Sequence, residues 1–232
     1  MKRIVLTTLL TVAGAGTAWT APMSSASMFA ESMRYHFSVG APMCWKQKNL
    51  PPKKNVERII TGILAAADRF WPGSDAARYR LMALMLSEGG GNSRNTAKPG
   101  EESYGVCCVK LPTARWVCHY FSIPCPRSST ALKQKLIEDI EWSTLVSAGA
   151  LWLYDSVQGY DEVRGLLMYK YGATGFGRAV NGLAVDKPGQ PVTELMEWKK
   201  FMRGLAYAFC VRDRIMAPAP SDCGCLAPET PQ

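Results

Sequence analysis

Apolar residues recur at spacings of three and four along most of this chain, and this periodicity is the feature that most limits its fold. Such a spacing places the apolar side chains on one stripe of a helix. No strand-like alternation of useful length and no internal repeat occurs. The sequence therefore predicts a mainly α protein. The predicted helices are Lys53–Phe70, Ala76–Glu88, Thr130–Val157, Asp161–Lys170 and Thr193–Val211.

One predicted helix ends on a carboxylate. Apolar side chains crowd the approach to Glu88, and three glycines, Gly89 to Gly91, follow it. Glycine readily takes up the left-handed conformation with which helices end. We expect a glutamate in this position to be half-buried, which suits a carboxylic acid that donates a proton. The alternative is an ordinary helix-terminal glutamate in solvent, because charged side chains are mostly exposed.

The start of the chain has the pattern of a secretory signal peptide, predicted over Met1–Ala26. Lys2 and Arg3 precede an apolar run, and small residues follow. An uncleaved membrane anchor is the alternative. The chain's net charge is +8, and a basic exported protein favours anionic surfaces such as phospholipid head groups or cell-wall polymers. Export makes nucleic acid the least expected partner, and the charge is also compatible with a role in solubility alone.

We expect one folded domain, because 232 residues supply one core and few chains of this length build several. The predicted division is a signal peptide at 1–26, an N-terminal arm or partial helix at 27–52, a helical domain at 53–215 and a Pro- and Cys-containing tail at 216–232. The tail is too poor in apolar residues to pack except through its cysteines.

All eight cysteines lie beyond the predicted signal peptide, and an even number in an exported chain indicates disulfides. Adjacent Cys107 and Cys108 are expected to bond to other parts of the chain, because a bond between neighbours is strained. Cys118 with Cys125 would close a short loop, and Cys223 or Cys225 would hold the tail. Zinc is the competing interpretation, but the spacings do not match the usual zinc ligands. No metal or organic cofactor is predicted.

The order of several short motifs resembles the soluble lytic transglycosylase family, within the lysozyme-like superfamily. That family has Glu-Ser, then Gly-Leu-Met-Gln with a Pro-x-Thr-Ala segment, then Ala-Tyr-Asn-Ala-Gly. Here the corresponding pieces are Glu88, Ser103-Tyr104-Gly105-Val106, Pro112-Thr113-Ala114 and Met168-Tyr169-Lys170-Tyr171-Gly172. The match covers roughly Lys53 to Val180. Three positions depart from it: Gly89 replaces the family's serine, Cys108 its groove glutamine and Lys170 its asparagine.

The resemblance implies a lysozyme-like helical domain with two catalytic residues, Glu88 as acid and base and Tyr169 reaching toward it across the cleft. The Tyr169 hydroxyl would orient Glu88 or the N-acetyl group of the sugar, and the alternative is an aromatic that only packs in the core. It places the substrate-binding residues along a groove for peptidoglycan glycan strands. Trp116 is a further aromatic that could stack on a sugar ring. The substrate-binding candidates are Ser103, Tyr104, Gly105, Val106, Cys108 and Tyr171.

The reaction implied is cleavage of the β-1,4 bond between N-acetylmuramic acid and N-acetylglucosamine, with formation of 1,6-anhydro-N-acetylmuramic acid. One carboxyl can suffice, because the N-acetyl group of the sugar can replace the second acid of ordinary glycosidases. The product would form in the periplasm or outside the cell. The setting, whether wall turnover, a phage, or a secretion or conjugation apparatus of the cell envelope, is left open.

Three alternatives remain. A hydrolytic muramidase, similar to goose-type lysozymes, would need a second acid, and Glu101, Glu102 and Asp155 are the candidates. A catalytically inactive wall-binding or assembly component would explain the three departures. A Cys-His hydrolase would use Cys107 or Cys108 with His119, although exported cysteines are usually oxidised.

Overall fold

The part of the protein that the structure describes is a set of packed helices with one short hairpin. The computed structural model describes residues 23–39, 51–88, 90–92, 103–157, 159, 162–180 and 194–216. The helices are α1 Ser25–Val39, α2 Val56–Phe70, α3 Asp75–Glu88, α4 Leu111–Tyr120, α5 Ser129–Glu138, α6 Ile140–Trp152, α7 Glu162–Val180 and α8 Glu194–Met216. A 3-10 turn, Lys53–Asn55, precedes α2, and a π-helical turn, Leu153–Val157, follows α6. The prediction of a mainly α class is confirmed.

Two helices, α3 and α6, form the centre of the structure. Every residue of α3 from Leu81 to Ser87 is buried, and so is every residue of α6 from Val146 to Leu151. A helix that is apolar on nearly all sides must lie inside the protein. Accordingly α6 packs against α2, α4 and α5, while α3 packs against α8. The helix that carries Glu88 is therefore one of the most enclosed in the molecule.

The long helix predicted over Thr130–Val157 is interrupted, and this boundary is a correction. Asp139 has a non-helical backbone (φ −98°, ψ 86°), and its carboxylate accepts a hydrogen bond of 3.1 Å from the amide of Trp142. An aspartate that accepts from an amide three residues later is a typical N-cap. The chain therefore forms two helices, α5 and α6, with Asp139 starting the second.

α1 occupies part of the segment predicted as an arm or partial helix. It buries Phe29, Met33 and His36 completely and packs against α2 and α8. The Nδ1 atom of His36 lies 2.9 Å from the hydroxyl of Tyr207 on α8. The part of the predicted arm that the structure describes is thus a docked helix.

Residues 1–22 of the predicted signal peptide and residues 217–232 of the predicted tail lie outside the described residues. Among the helices that are described, none combines the length and the apolar character that crossing a membrane requires.

Candidate functional site

Glu88 is the last residue of α3, and its side chain is half-buried, as predicted. The amide of Gly90 donates to the carbonyl of Met85 at 2.8 Å, and Gly90 and Gly91 both have positive φ, 68° and 85°. This is the backbone pattern with which glycines close a helix. The buried body of α3 and the glycine closure together hold the carboxyl at the boundary between core and surface.

The hairpin meets this end of α3. Strands β1 (Ser103–Tyr104) and β2 (Val109–Lys110) pair antiparallel, with Ser103 opposite Lys110 and Tyr104 opposite Val109. The thiol of Cys108 lies 3.8 Å from the carbonyl oxygen of Glu88, within hydrogen-bond reach for sulfur. The turn of the hairpin therefore contacts the backbone of Glu88.

The turn between the strands has an unusual backbone. Gly105 has φ of 85° and Cys108 has φ of 52°, a conformation that non-glycine residues rarely adopt. Gly105 also lies so close to Ser143 and to the carbonyl of Leu136 that no side chain would fit. The turn is therefore seated against α6 and the end of α5, which fixes its distance from Glu88.

Tyr169 reaches the same hairpin from α7. Its hydroxyl donates a hydrogen bond of 2.9 Å to the carbonyl of Cys107, and its side chain is only 3% exposed. Burial raises the pKa of Tyr169 well above its usual value, and the nearby Cys107, Glu88 and Cys108 add to this rise. The phenol therefore stays protonated and fixes the hairpin by donating to its backbone. Its proton is directed to Cys107 in this arrangement.

The other predicted substrate-binding residues mostly face inward. Tyr104 and Ser103 are each 8% exposed and Val106 is 1% exposed. The ammonium of Lys133 covers the ring of Tyr104 at 4.8 Å, while Tyr171 is 6% exposed. The structure brings these residues together around the hairpin and α7. Their contact with sugar remains a prediction, and Cys108 is the one among them that is half-exposed.

Lys110 joins this group, although none of the sequence motifs points to it. Its Nζ donates a hydrogen bond of 2.9 Å to the carbonyl of Tyr171. It occupies the N-cap position of α4, directly before Leu111, the first residue of that helix. Ser, Thr, Asp and Asn are the usual N-caps. A lysine immediately before such a helix start is the signal that could have identified it.

Asp155, a candidate second acid, is engaged elsewhere. Its carboxylate lies 2.7 Å from the guanidinium of Arg80, and both side chains are 16% exposed. Gly165 lies so close to the Asp155 carboxylate that a Cβ would collide with it. A carboxylate held by an arginine is poorly suited to activate a water molecule. The other candidates, Glu101 and Glu102, lie outside the described residues.

The cysteines near the site carry thiols. Cys107, Cys108, Cys118 and Cys125 are not disulfide-bonded. The bridges expected from Cys107 and Cys108 to other parts of the chain, and the bridge expected between Cys118 and Cys125, are therefore not formed. The reason is geometric for Cys107, which is 1% exposed inside the core. Burial raises the pKa of its thiol far above the usual value. This opposes the thiolate that a Cys-His hydrolase requires.

Two further observations concern the remaining cysteines and metals. Burial, followed by a hydrogen bond with Cys125, raises the pKa of Cys118 to about 12, so the two thiols are neighbours. Cys210 on α8 is disulfide-bonded. The described residues contain no group of three or more histidine, cysteine or acidic side chains that could hold a metal ion. Cys44, Cys223 and Cys225 lie outside the described residues.

The arrangement can therefore supply one half-buried carboxyl, a neutral phenol that fixes the hairpin, and a lysine ammonium on the same hairpin. No protein-family model, no curated protein and no solved structure matches this chain.

Proposed function

We propose that the chain is an exported peptidoglycan lytic transglycosylase with a lysozyme-like helical domain. The observation that carries this proposal is the convergence of three separated segments: the end of α3 with Glu88, the hairpin with Cys108, and α7 with Tyr169. These are the segments whose order along the chain resembles the transglycosylase family. In the folded chain these three segments are in contact with one another, although they are far apart in the sequence.

Glu88 would act twice. As an acid it protonates the glycosidic oxygen between N-acetylmuramic acid and N-acetylglucosamine, so that the bond to the muramic C1 breaks. The N-acetyl group of the muramic acid stabilises the positive charge that develops there, in the manner of substrate-assisted glycosidases. As a base the carboxylate then takes the proton of the C6 hydroxyl, whose oxygen bonds to C1. The product is the 1,6-anhydro sugar, and no water is consumed.

The role of Tyr169 in this scheme is positional. Its hydroxyl donates to the carbonyl of Cys107, and the neighbouring Cys108 contacts the backbone of Glu88. Tyr169 thereby fixes the position of the hairpin relative to the end of α3, where Glu88 lies. Because burial keeps the phenol protonated, it would not exchange protons with Glu88 near neutral pH.

The test is mass spectrometry of fragments released from purified peptidoglycan by wild type and by Glu88→Gln. Glutamine has nearly the shape of glutamate but can neither donate nor accept the proton, so release should fall by about 10²-fold to 10⁴-fold. Glu138→Gln makes the same chemical change on the exposed face of α5 and serves as the matched control.

The products separate the alternatives. Anhydromuramic ends support the transglycosylase, whereas reducing ends alone would identify a hydrolytic muramidase. Binding to intact sacculi without release of fragments would identify an inactive wall-binding or assembly component. Wild-type rates in Glu88→Gln would show that another group performs the chemistry.

A further inference from the structure

Lys110 lies on the hairpin that meets the end of α3, two residues after Cys108. Side chains alternate along a strand, so Val109 and Lys110 of β2 point to opposite sides. Burial follows this alternation, since Val109 is 1% exposed while Lys110 is half-buried. The Cys108 thiol contacts the backbone carbonyl of Glu88. The ammonium of Lys110 is therefore on the less buried side of a hairpin whose turn contacts the candidate acid's backbone.

The backbone of α7 is shaped to hold this ammonium. Gly172 interrupts the helix with φ of 67° and ψ of −179°, and the preceding carbonyl, that of Tyr171, accepts the hydrogen bond from Lys110 Nζ at 2.9 Å. A second lysine, Lys170, places its Nζ 5.6 Å from the centre of the Tyr171 ring. Both lysines thus contact Tyr171, Lys110 at the backbone carbonyl and Lys170 at the ring. An ammonium has three donors, so Lys110 keeps donors beyond the bond to Tyr171.

The charge of Lys110 is not balanced within the described part of the chain. No ion pair joins Lys110 to any described carboxylate. It stands at the N-cap of α4, where its side chain makes no capping bond, and no acidic residue occurs in the first turn. Cations are unfavourable at the start of a helix, and anions are favourable there. Lys110 departs from this preference, and residues that depart from such local preferences are often found at functional positions.

We infer that Lys110, supported by Lys170, binds a carboxylate of the glycan substrate beside the bond that is cut. This inference rests on the proposed function. The sugar backbone of peptidoglycan is neutral, and its carboxylates belong to the peptides on N-acetylmuramic acid or, where a peptide has been removed, to the lactyl group. Lys110 therefore makes the protein selective for acidic strands over neutral polymers of N-acetylglucosamine.

The experiment compares native strands with strands whose carboxyl groups have been converted to methyl esters. Lys110→Gln keeps a donor for the Tyr171 carbonyl but removes the charge. Because a hydrogen bond to a charged partner is lost, kcat/KM for native strands should fall by about 10-fold to 100-fold. The esterified strands should be cut equally by wild type and Lys110→Gln. Lys110→Arg keeps the charge and should retain most of the preference for native strands.

The matched control is Lys54→Gln, which removes one exposed positive charge from the turn before α2. It should leave kcat/KM unchanged for both native and esterified strands. Equal losses on native and esterified strands would overturn the inference and leave Lys110 a structural role. Thermal unfolding of each variant detects a folding defect. In native strands the lactyl carboxyl is bound in an amide to the peptide, and an amidase removes the peptide and frees that carboxyl. A lost effect of Lys110→Gln on trimmed strands therefore assigns the contact to a peptide carboxylate, and an unchanged effect shows that a carboxylate at the lactyl position is sufficient.

Failure of the proposed function gives a different result. If wild type releases no fragments from any strand, the transglycosylase proposal fails, and cosedimentation of the protein with the same native and esterified strands then decides the inference. Weaker binding of Lys110→Gln to native strands alone would support it. Equal binding of both proteins to both strands would refute it.

Discussion

Gly105 is the point where the hairpin packs most tightly, and a single added methyl group there should be costly. Its φ is +85°, and a Cβ would collide with the Oγ of Ser143 and lie 2.9 Å from the carbonyl oxygen of Leu136. The left-handed backbone costs a non-glycine residue about 1–2 kcal/mol, and overpacking adds about 1–3 kcal/mol. We therefore expect Gly105→Ala to lower the free energy of unfolding by about 2–5 kcal/mol.

The measurement is urea unfolding followed by far-UV circular dichroism, with Gly73→Ala as the matched control. Gly73 also has a positive φ, +74°, but no atom of the described residues lies within 4 Å of the position that an added methyl group would take. Only the backbone cost applies to it, about 1–2 kcal/mol. The difference between the two variants isolates the collision of the methyl group with α6 and the end of α5.

A second change tests the cause directly. The Oγ of Ser143 is buried and has no hydrogen-bond partner among the described residues, so Ser143→Ala removes an atom that the fold does not need. In the Gly105→Ala background it should restore part of the lost stability. If Gly105→Ala is no more destabilising than Gly73→Ala, the hairpin is not seated against α6 as described.

Two further predictions concern other parts of the molecule. Burial lowers the pKa of His36 from 6.5 to about 4, so the unfolded chain binds a proton that the native protein does not, and stability is lost as the pH falls from about 6.5 toward 4. Between pH 7 and 5 the loss should be about 2 kcal/mol in urea titrations, and it should vanish in His36→Gln, whose side chain does not titrate. The neighbouring thiols of Cys118 and Cys125 should form a disulfide when the protein is oxidised, adding about 2–3 kcal/mol. Peptide mapping without reduction checks the bond, and an unlinked pair in the oxidised protein would contradict it.

The fold is predictable where packing and local pattern agree. α2 is recognisable because its apolar residues follow the helical period, and α3 because its apolar residues form one continuous run. α2 ends before Trp71, and α3 ends before the glycines that follow Glu88. The break at Asp139 is hidden because apolar residues continue on both sides of it, and one capping carboxylate is a weak signal within such a run. The hairpin is hidden because its strands have two residues each, too few to show alternation.

The site is predictable in part, for a similar reason. The position of Glu88 follows from a local feature, an apolar helix closed by glycine. The partner of Tyr169 does not, because the hydrogen bond to Cys107 joins residues 62 positions apart. The contact made by Lys110 does not follow either, because its acceptor, the carbonyl of Tyr171 before Gly172, lies 61 positions along the chain. Long-range contacts of this kind leave no period in the sequence.

The hairpin's geometry explains why it needs no disulfide. The left-handed backbone of Cys108 costs free energy, and such a conformation persists only where the surroundings over-determine it. Here three contacts do so: Gly105 against α6, the Tyr169 hydroxyl on the Cys107 carbonyl, and the Cys108 thiol at the end of α3. Each comes from a different helix. A change in any one helix therefore moves the hairpin relative to Glu88, so the spacing on which the proposed chemistry depends is set by packing across the whole core.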